Sequence, residues 1–173
     1  CAFIQLGQVA GYEAVRDMAQ KMGTGTKVLG FKEEAAGRIT AEQEAAGAGI
    51  ANMSIGQGTL LVSPVQAARI TNIIANGGID TGIHIISKKQ EKSRIISEKT
   101  ADEITEMMKA VTEYGTGAGS STLLCAGKTG SAEAGSMIHG WFTGFFPYDE
   151  PEYTITVFCE DGKSGGNSAL KVF

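Results

Sequence analysis

Leu123-Leu-Cys-Ala-Gly-Lys-Thr-Gly-Ser-Ala-Glu-Ala-Gly-Ser-Met-Ile-His-Gly-Trp-Phe-Thr-Gly-Phe-Phe146 is the stretch on which the fold turns. Before it the apolar residues recur at helical spacing, and from Leu123 onward the period becomes 2. Strands are predicted over 123–128 and 139–146, with a third over 153–159. In that third strand Tyr153, Ile155, Val157 and Cys159 alternate with Thr154, Thr156 and Phe158. Pro147 to Glu152 carries turn residues between the second and third strands. Connections this short favour an antiparallel meander, and the preceding helices would cover one of its faces. The fold class is therefore α+β, a three-stranded antiparallel sheet packed with helices.

Ser97 can cap a helix that buries Ala101, Ile104, Met108 and Val111 and stops near Gly115. Ser63-Pro-Val-Gln66 gives a second helix start, with Ser63 and Gln66 forming a capping box and Pro64 in the first helical position. That helix should run to about Asn76, bury Ala67, Ile70 and Ile74, and end at Gly77-Gly78. Between the two, residues 84–96 read as a hairpin with a charged turn. Two short helices open the chain, one with an apolar stripe of Phe3, Leu6 and Ala10, the other with Val15, Met18, Ala19 and Met22 before Gly23. Residues 23–58 show no sustained period and read as a loop-dominated segment. A last helix is expected after Gly165-Gly166, capped by Asn167.

With 173 residues, 42% hydrophobic and 20% charged, the chain can bury one core. A net charge of −4 and a pI near 5.2 leave no basic face of the size nucleic acid requires. No apolar run approaches the roughly 20 residues of a membrane span. Cys1, Cys125 and Cys159 fit neither a zinc site nor a disulfide framework, and His84 and His139 have no ligand-spaced partner. Neither a metal nor a cofactor is expected.

Lys128-Thr-Gly-Ser131 places an ammonium, two hydroxyls and a residue without a side chain at the end of an apolar strand, which suits a carboxylate and a peptide backbone. A phosphate loop would need glycine five residues before Gly127, where Thr122 stands, so ATP is the weakest reading and an ATP titration tests it. Glu133 has no role that chemistry assigns. Trp141 reads as core, and Gly115 and Gly117 as turn formers.

Taken together, Gly56-Gln-Gly58, Leu61-Val-Ser-Pro-Val-Gln-Ala-Ala-Arg69, Ile74-Ala-Asn-Gly-Gly78, Tyr114-Gly-Thr-Gly117, Ala126-Gly-Lys-Thr-Gly-Ser-Ala-Glu133, Gly140-Trp-Phe-Thr-Gly-Phe-Phe-Pro147 and Gly165-Gly-Asn-Ser-Ala169 resemble the penicillin-binding transpeptidases in order and spacing. The Gly-Gln-Gly form and the opening Ala2-Phe-Ile-Gln-Leu-Gly7 look more like the class B enzymes than the class A ones.

That family combines Ser-x-x-Lys, Ser-x-Asn and Lys-Thr-Gly, and shares its fold with the serine β-lactamases. Here Ser168-Ala-Leu-Lys171 matches the first as a string but follows the Lys-Thr-Gly strand, and no Ser-x-Asn occurs. The resemblance thus implies that residues 1–173 are the C-terminal part of one transpeptidase domain, without its nucleophile.

By the same resemblance, Lys128 would face a substrate or β-lactam carboxylate and Thr129 and Ser131 would donate hydroxyl hydrogen bonds to it. Gly130 would let the substrate backbone lie close, and the Ser131 N–H would be one of two oxyanion donors. The implied activity is D,D-transpeptidation of peptidoglycan stem peptides ending in D-Ala-D-Ala, on the extracytoplasmic face of the bacterial membrane and with an anchor outside this chain. A non-catalytic module that binds peptide or β-lactam is the alternative. The resemblance also implies that strand 153–159 lacks its outer neighbour here, so the chain is expected to self-associate through that edge.

Overall fold

A computed structural model describes residues 2–86, 92–118 and 124–173. Two compact units divide the chain after Gln66, where composition alone suggested one core.

In the first unit, α1 spans Ala2–Ala10 and α2 spans Tyr12–Lys21. The apolar stripe of α1 is not its packing face. Phe3 and Leu6 are each 62% exposed and Val9 87%, whereas Gly7 is buried, because its missing side chain lets the helix lie directly on Ser54. Gly23 ends α2 at φ +93°, and the Thr24 N–H closes onto Ala19 O at 2.9 Å.

The stretch that follows is loop-dominated but not without helix. A 3-10 turn forms at Glu42–Glu44 and a short helix, α3, at Ala48–Met53. Gly49 permits this unforeseen helix, since a side chain there would strike the Glu44 carbonyl. The loop is held by two polar side chains. Glu34 accepts the N–H groups of Val28, Leu29 and Gly30 at 2.7 to 3.0 Å. Desolvation would push its carboxyl up, but those donors, Leu29 first, outweigh it and hold the pKa below the usual range.

Gln66 completes the capping box, accepting the Ser63 N–H at 2.9 Å while its own N–H bonds to Ser63 Oγ at 3.3 Å. Its fully buried side-chain amide also donates to the carbonyls of Gly23, Thr26 and Ala36.

The second unit begins within α4 (Pro64–Ala75), whose most deeply buried residues are Gln66, Ile73 and Thr71. The expected Ala67, Ile70 and Ile74 are half-buried. Gly77 and Gly78, at φ +61° and +86°, end the helix. The hairpin ladder lies outside its expected start, pairing Ile79–Asp80 (β1) with Ser93–Arg94 (β2). The charged turn expected for this hairpin lies outside the described residues. Helix α5 (Glu98–Glu113) buries Ala101 and Met108, while Ile104 and Val111, also expected on that face, are half-buried.

The sheet is an antiparallel meander of β3 (Ala126–Ala134), β4 (Met137–Phe146) and β5 (Tyr153–Cys159). Gly135 takes the first position of the two-residue β3–β4 turn at φ +63°, a conformation that favours glycine. Residues opposite one another share a face, so register assigns each face its contents. Ala126 lies opposite Phe145, and both pack on Met108 of α5 and Ile74 of α4. On that face the hydroxyls of Thr71, Thr143 and Thr156 form a chain, each link 2.7 Å. The other face carries Phe142 and Val157 against Ala169, Leu170 and Phe173.

Where a terminal helix was expected, the chain forms only a 3-10 turn at Ala169–Lys171 with Ser168, not Asn167, at its start. The segment cannot wind evenly because Gly165 lies flat against the strand backbone, where a side chain would strike Gly130 and Trp141 carbonyls.

Candidate functional site

Strand β3 does not stop at the Lys-Thr-Gly triplet but runs five residues past Thr129, to Ala134. The triplet was expected at a strand end and lies mid-strand instead. Small residues hid this, because Gly and Ala carry little strand propensity of their own and depend on the β4 partner.

β4 pairs with one side of β3, and among the described residues no strand lies on the other. Pairing puts Lys128 opposite Thr143 and Gly130 opposite Trp141 on the helix-covered face. Thr129 lies opposite Phe142 and Ser131 opposite Gly140 on the face of the C-terminal turn. Strand alternation thus separates the ammonium from the two hydroxyls, and all can meet one ligand only along the edge of β3.

Lys128 is exposed, and its Nζ donates to the Thr129 carbonyl at 2.5 Å. Neighbouring protein still strips enough water from the ammonium to lower its pKa from the ordinary lysine value, a desolvation effect. Gly130 is pressed by its own cross-strand neighbour: a Cβ there would sit 3.2 Å from Trp141 Cβ. Trp141, read as core, is half-buried and packs its ring 4.6 Å from that of the partly exposed Phe158.

Thr129 and Ser131 face a groove of about 500 Å³ that Thr116, Asn167, Leu170 and Lys171 also line. Thr116 Oγ1 and Thr129 Oγ1 share a hydrogen bond of 2.6 Å, and the Gly165 N–H donates to Ser131 Oγ at 3.2 Å. Residue-by-residue reading missed Thr116, Asn167 and Lys171 as companions of the triplet. Their only signal was membership of Tyr114-Gly-Thr-Gly117 and of the glycine-bounded segment at 165–171.

Ser168 points away from nucleophile chemistry, its hydroxyl donating to Ser164 O at 2.6 Å. Glu133 is exposed. His139 Nδ1 accepts the Asp161 N–H at 3.2 Å, and the thiols of Cys125 and Cys159 are free. Among the described residues no group of three or more His, Cys, Asp or Glu side chains could hold a metal, and no helix is long and apolar enough to cross a membrane.

The family model for the penicillin binding protein transpeptidase domain matches residues 1–173. Peptidoglycan D,D-transpeptidase PbpA of Mycolicibacterium smegmatis is 28% identical over 93% of this chain and 36% of that protein. Penicillin-binding protein PbpB of Mycobacterium tuberculosis is 30% identical over 96% of this chain and 30% of its own length. This chain thus spans 22% to 36% of the length of the curated relatives it matches.

Among solved structures, the transpeptidase domain of penicillin-binding protein 3 from Burkholderia pseudomallei superposes with a TM-score of 0.88 at 25% identity, covering 99% of this chain and 57% of that one. The imipenem acyl-enzyme complex of penicillin-binding protein A from M. tuberculosis gives 0.76 at 26% identity, over 99% of this chain and 42% of that one. A family match along the full sequence, a common α+β fold and relatives named as D,D-transpeptidases agree, and the chain belongs to the penicillin-binding protein transpeptidase family.

Proposed function

We propose that this chain supplies the Lys-Thr-Gly wall of a peptidoglycan D,D-transpeptidase and forms the C-terminal part of that catalytic domain. The observation that carries the reading is an edge strand with Lys128 and Gly130 on one face and Thr129 and Ser131 on the other. A stem peptide ending in D-Ala-D-Ala adds alongside β3, where main-chain pairing gives affinity. Lys128 supplies positive potential to its carboxylate, and Thr129 and Ser131 supply hydroxyl donors. Gly130 keeps the strand low, and the Ser131 N–H stabilises the oxyanion.

In the reaction a serine hydroxyl attacks the penultimate D-alanyl carbonyl and D-alanine leaves. An amine of a second stem peptide then takes the acyl group. The serine and its lysine base belong to residues outside this chain, since Ser168-Ala-Leu-Lys171 follows β3 and its hydroxyl is committed to Ser164 O. β-Lactams acylate the same serine, in keeping with the acyl-enzyme structures of relatives. The reading further places the domain outside the cytoplasmic membrane, anchored by a segment not in this sequence.

Labelled penicillin with intact-mass readout tests this. The 173-residue chain is expected to form no covalent adduct, and a stoichiometric adduct on Ser131 or Ser168 overturns the assignment. The open edge of β3 also suits a second reading, a non-catalytic peptide or β-lactam binding module. Acylation of the parent polypeptide by penicillin supports the enzyme, whereas reversible binding without acylation supports the module.

We also propose that the isolated chain self-associates through β5, whose seven residues are uncharged and free of proline and whose outer side has no strand partner among the described residues.

A further inference from the structure

Thr24, in the first unit, is only 3% exposed, and among the described residues its hydroxyl has no hydrogen-bond partner. A buried hydroxyl left unpaired is costly, so this one needs a group that the described chain does not supply. Thr24 lines a pocket of about 350 Å³ between the turn that follows α2 and the segment 37–39.

The two walls of this pocket are clamped to one another. The fully buried amide of Gln66 donates to the carbonyls of Gly23 and Thr26 in one wall and of Ala36 beside the other. A Cβ at Gly25 would stand 3.3 Å from Ile39 Cδ1, so glycine leaves that space open. The pocket is therefore formed before any ligand arrives.

Its lining mixes donors with acceptors. Arg38 and Gln20 offer N–H groups and Gln20 also a carbonyl, whereas Thr26 Oγ1, whose hydrogen goes to Gly23 O at 2.8 Å, can only accept. The field is close to neutral. Glu44 already matches the Arg38 charge, no carboxylate lines the pocket, and the C-terminal end of α2 at Gln20 disfavours an anion. An uncharged group that donates and accepts at once, a hydroxyl, satisfies all of these atoms, and Ile39 gives an apolar contact to the C–H face of a ring.

We infer that this pocket binds an uncharged saccharide, one sugar ring held through its hydroxyls by Thr24, Thr26, Gln20 and Arg38. The site uses none of the residues assigned to β3 and stands independently of that assignment.

Backbone-amide NMR titration of the whole 173-residue chain tests it. Tri-N-acetylchitotriose is expected to shift the amides of Gly25, Thr26 and Gly37 saturably, while acetate, or glycerol at the same hydroxyl concentration, leaves them in place. T24V keeps the side chain's shape without its hydroxyl and should weaken binding about fivefold, the scale of one hydrogen bond, whereas T24S should retain it. The Tm of T24V should be no lower than that of wild type, because no protein partner is lost. Q20M alters an exposed residue, should weaken binding by a similar factor, and decides the matter if T24V does not fold.

Shifts that fail to saturate, or that glycerol or acetate reproduces, overturn the saccharide site. Wild-type affinity in folded T24V, or in Q20M, overturns it as well.

Discussion

Asp80 gives one carboxylate oxygen to the Arg69 guanidinium, at 2.6 Å from Nη2, and the other to the Gly82 N–H at 2.8 Å. Burial alone would raise its pKa. The Arg69 hydrogen bonds, the Gly82 N–H and the Arg69 charge outweigh burial and lower it. A carboxyl whose pKa is lower folded than unfolded contributes stability above its unfolded pKa and loses it as pH falls through the folded value. The D80N variant should therefore lose about 2 kcal/mol at neutral pH, the scale of hydrogen bonds to a charged group, and should show a flatter acid limb. Denaturant titrations from pH 7 to pH 3 check this, and an acid limb as steep as wild type refutes it. Other residues of comparable weight left no trace in the sequence. Nothing in the string 23–37 announces that one Gln66 amide will serve three of its carbonyls, because such a hub exists only once distant loops have closed.

At the scale of elements, what is written locally was legible. Ser97 caps α5 by accepting the Thr100 N–H at 3.0 Å, and of the four residues its period marks the helix buries Ala101 and Met108 and half-buries Ile104 and Val111. S97A is expected to cost about 1 kcal/mol, read as a lowered Tm with unchanged native CD. The Ser63–Gln66 box and the β5 boundaries were equally open to sequence reading, since both rest on near-neighbour chemistry. The far half of β3 was not, because Gly130 to Ala134 are strand only through β4. The terminal helix was overcalled for the complementary reason: a good capping sequence was overridden by Gly165 packing flat on another strand. The apolar stripe of α1 shows the same limit, since period 3.6 marks a face but does not say that a glycine on another face will take the contact.

For the whole molecule, family and fold were legible because several short blocks agree, while the two-faced arrangement of the triplet needed the register. The edge of β5 is the property with the largest consequence for handling the protein. Light scattering should show association that grows with concentration, and T154K, which adds a charge to that edge, should reduce it. A chain that stays monomeric across the micromolar range refutes the proposal. The single tryptophan of the sequence offers an optical window on the other edge. Trp141 stands directly across the ladder from Gly130, half in solvent, so excitation near 295 nm lights one indole beside the strand and no other. A ligand settling on β3 displaces water from that ring, and emission should shift to the blue. The protein therefore carries its own reporter, one that follows occupancy without a nucleophile, a label or turnover.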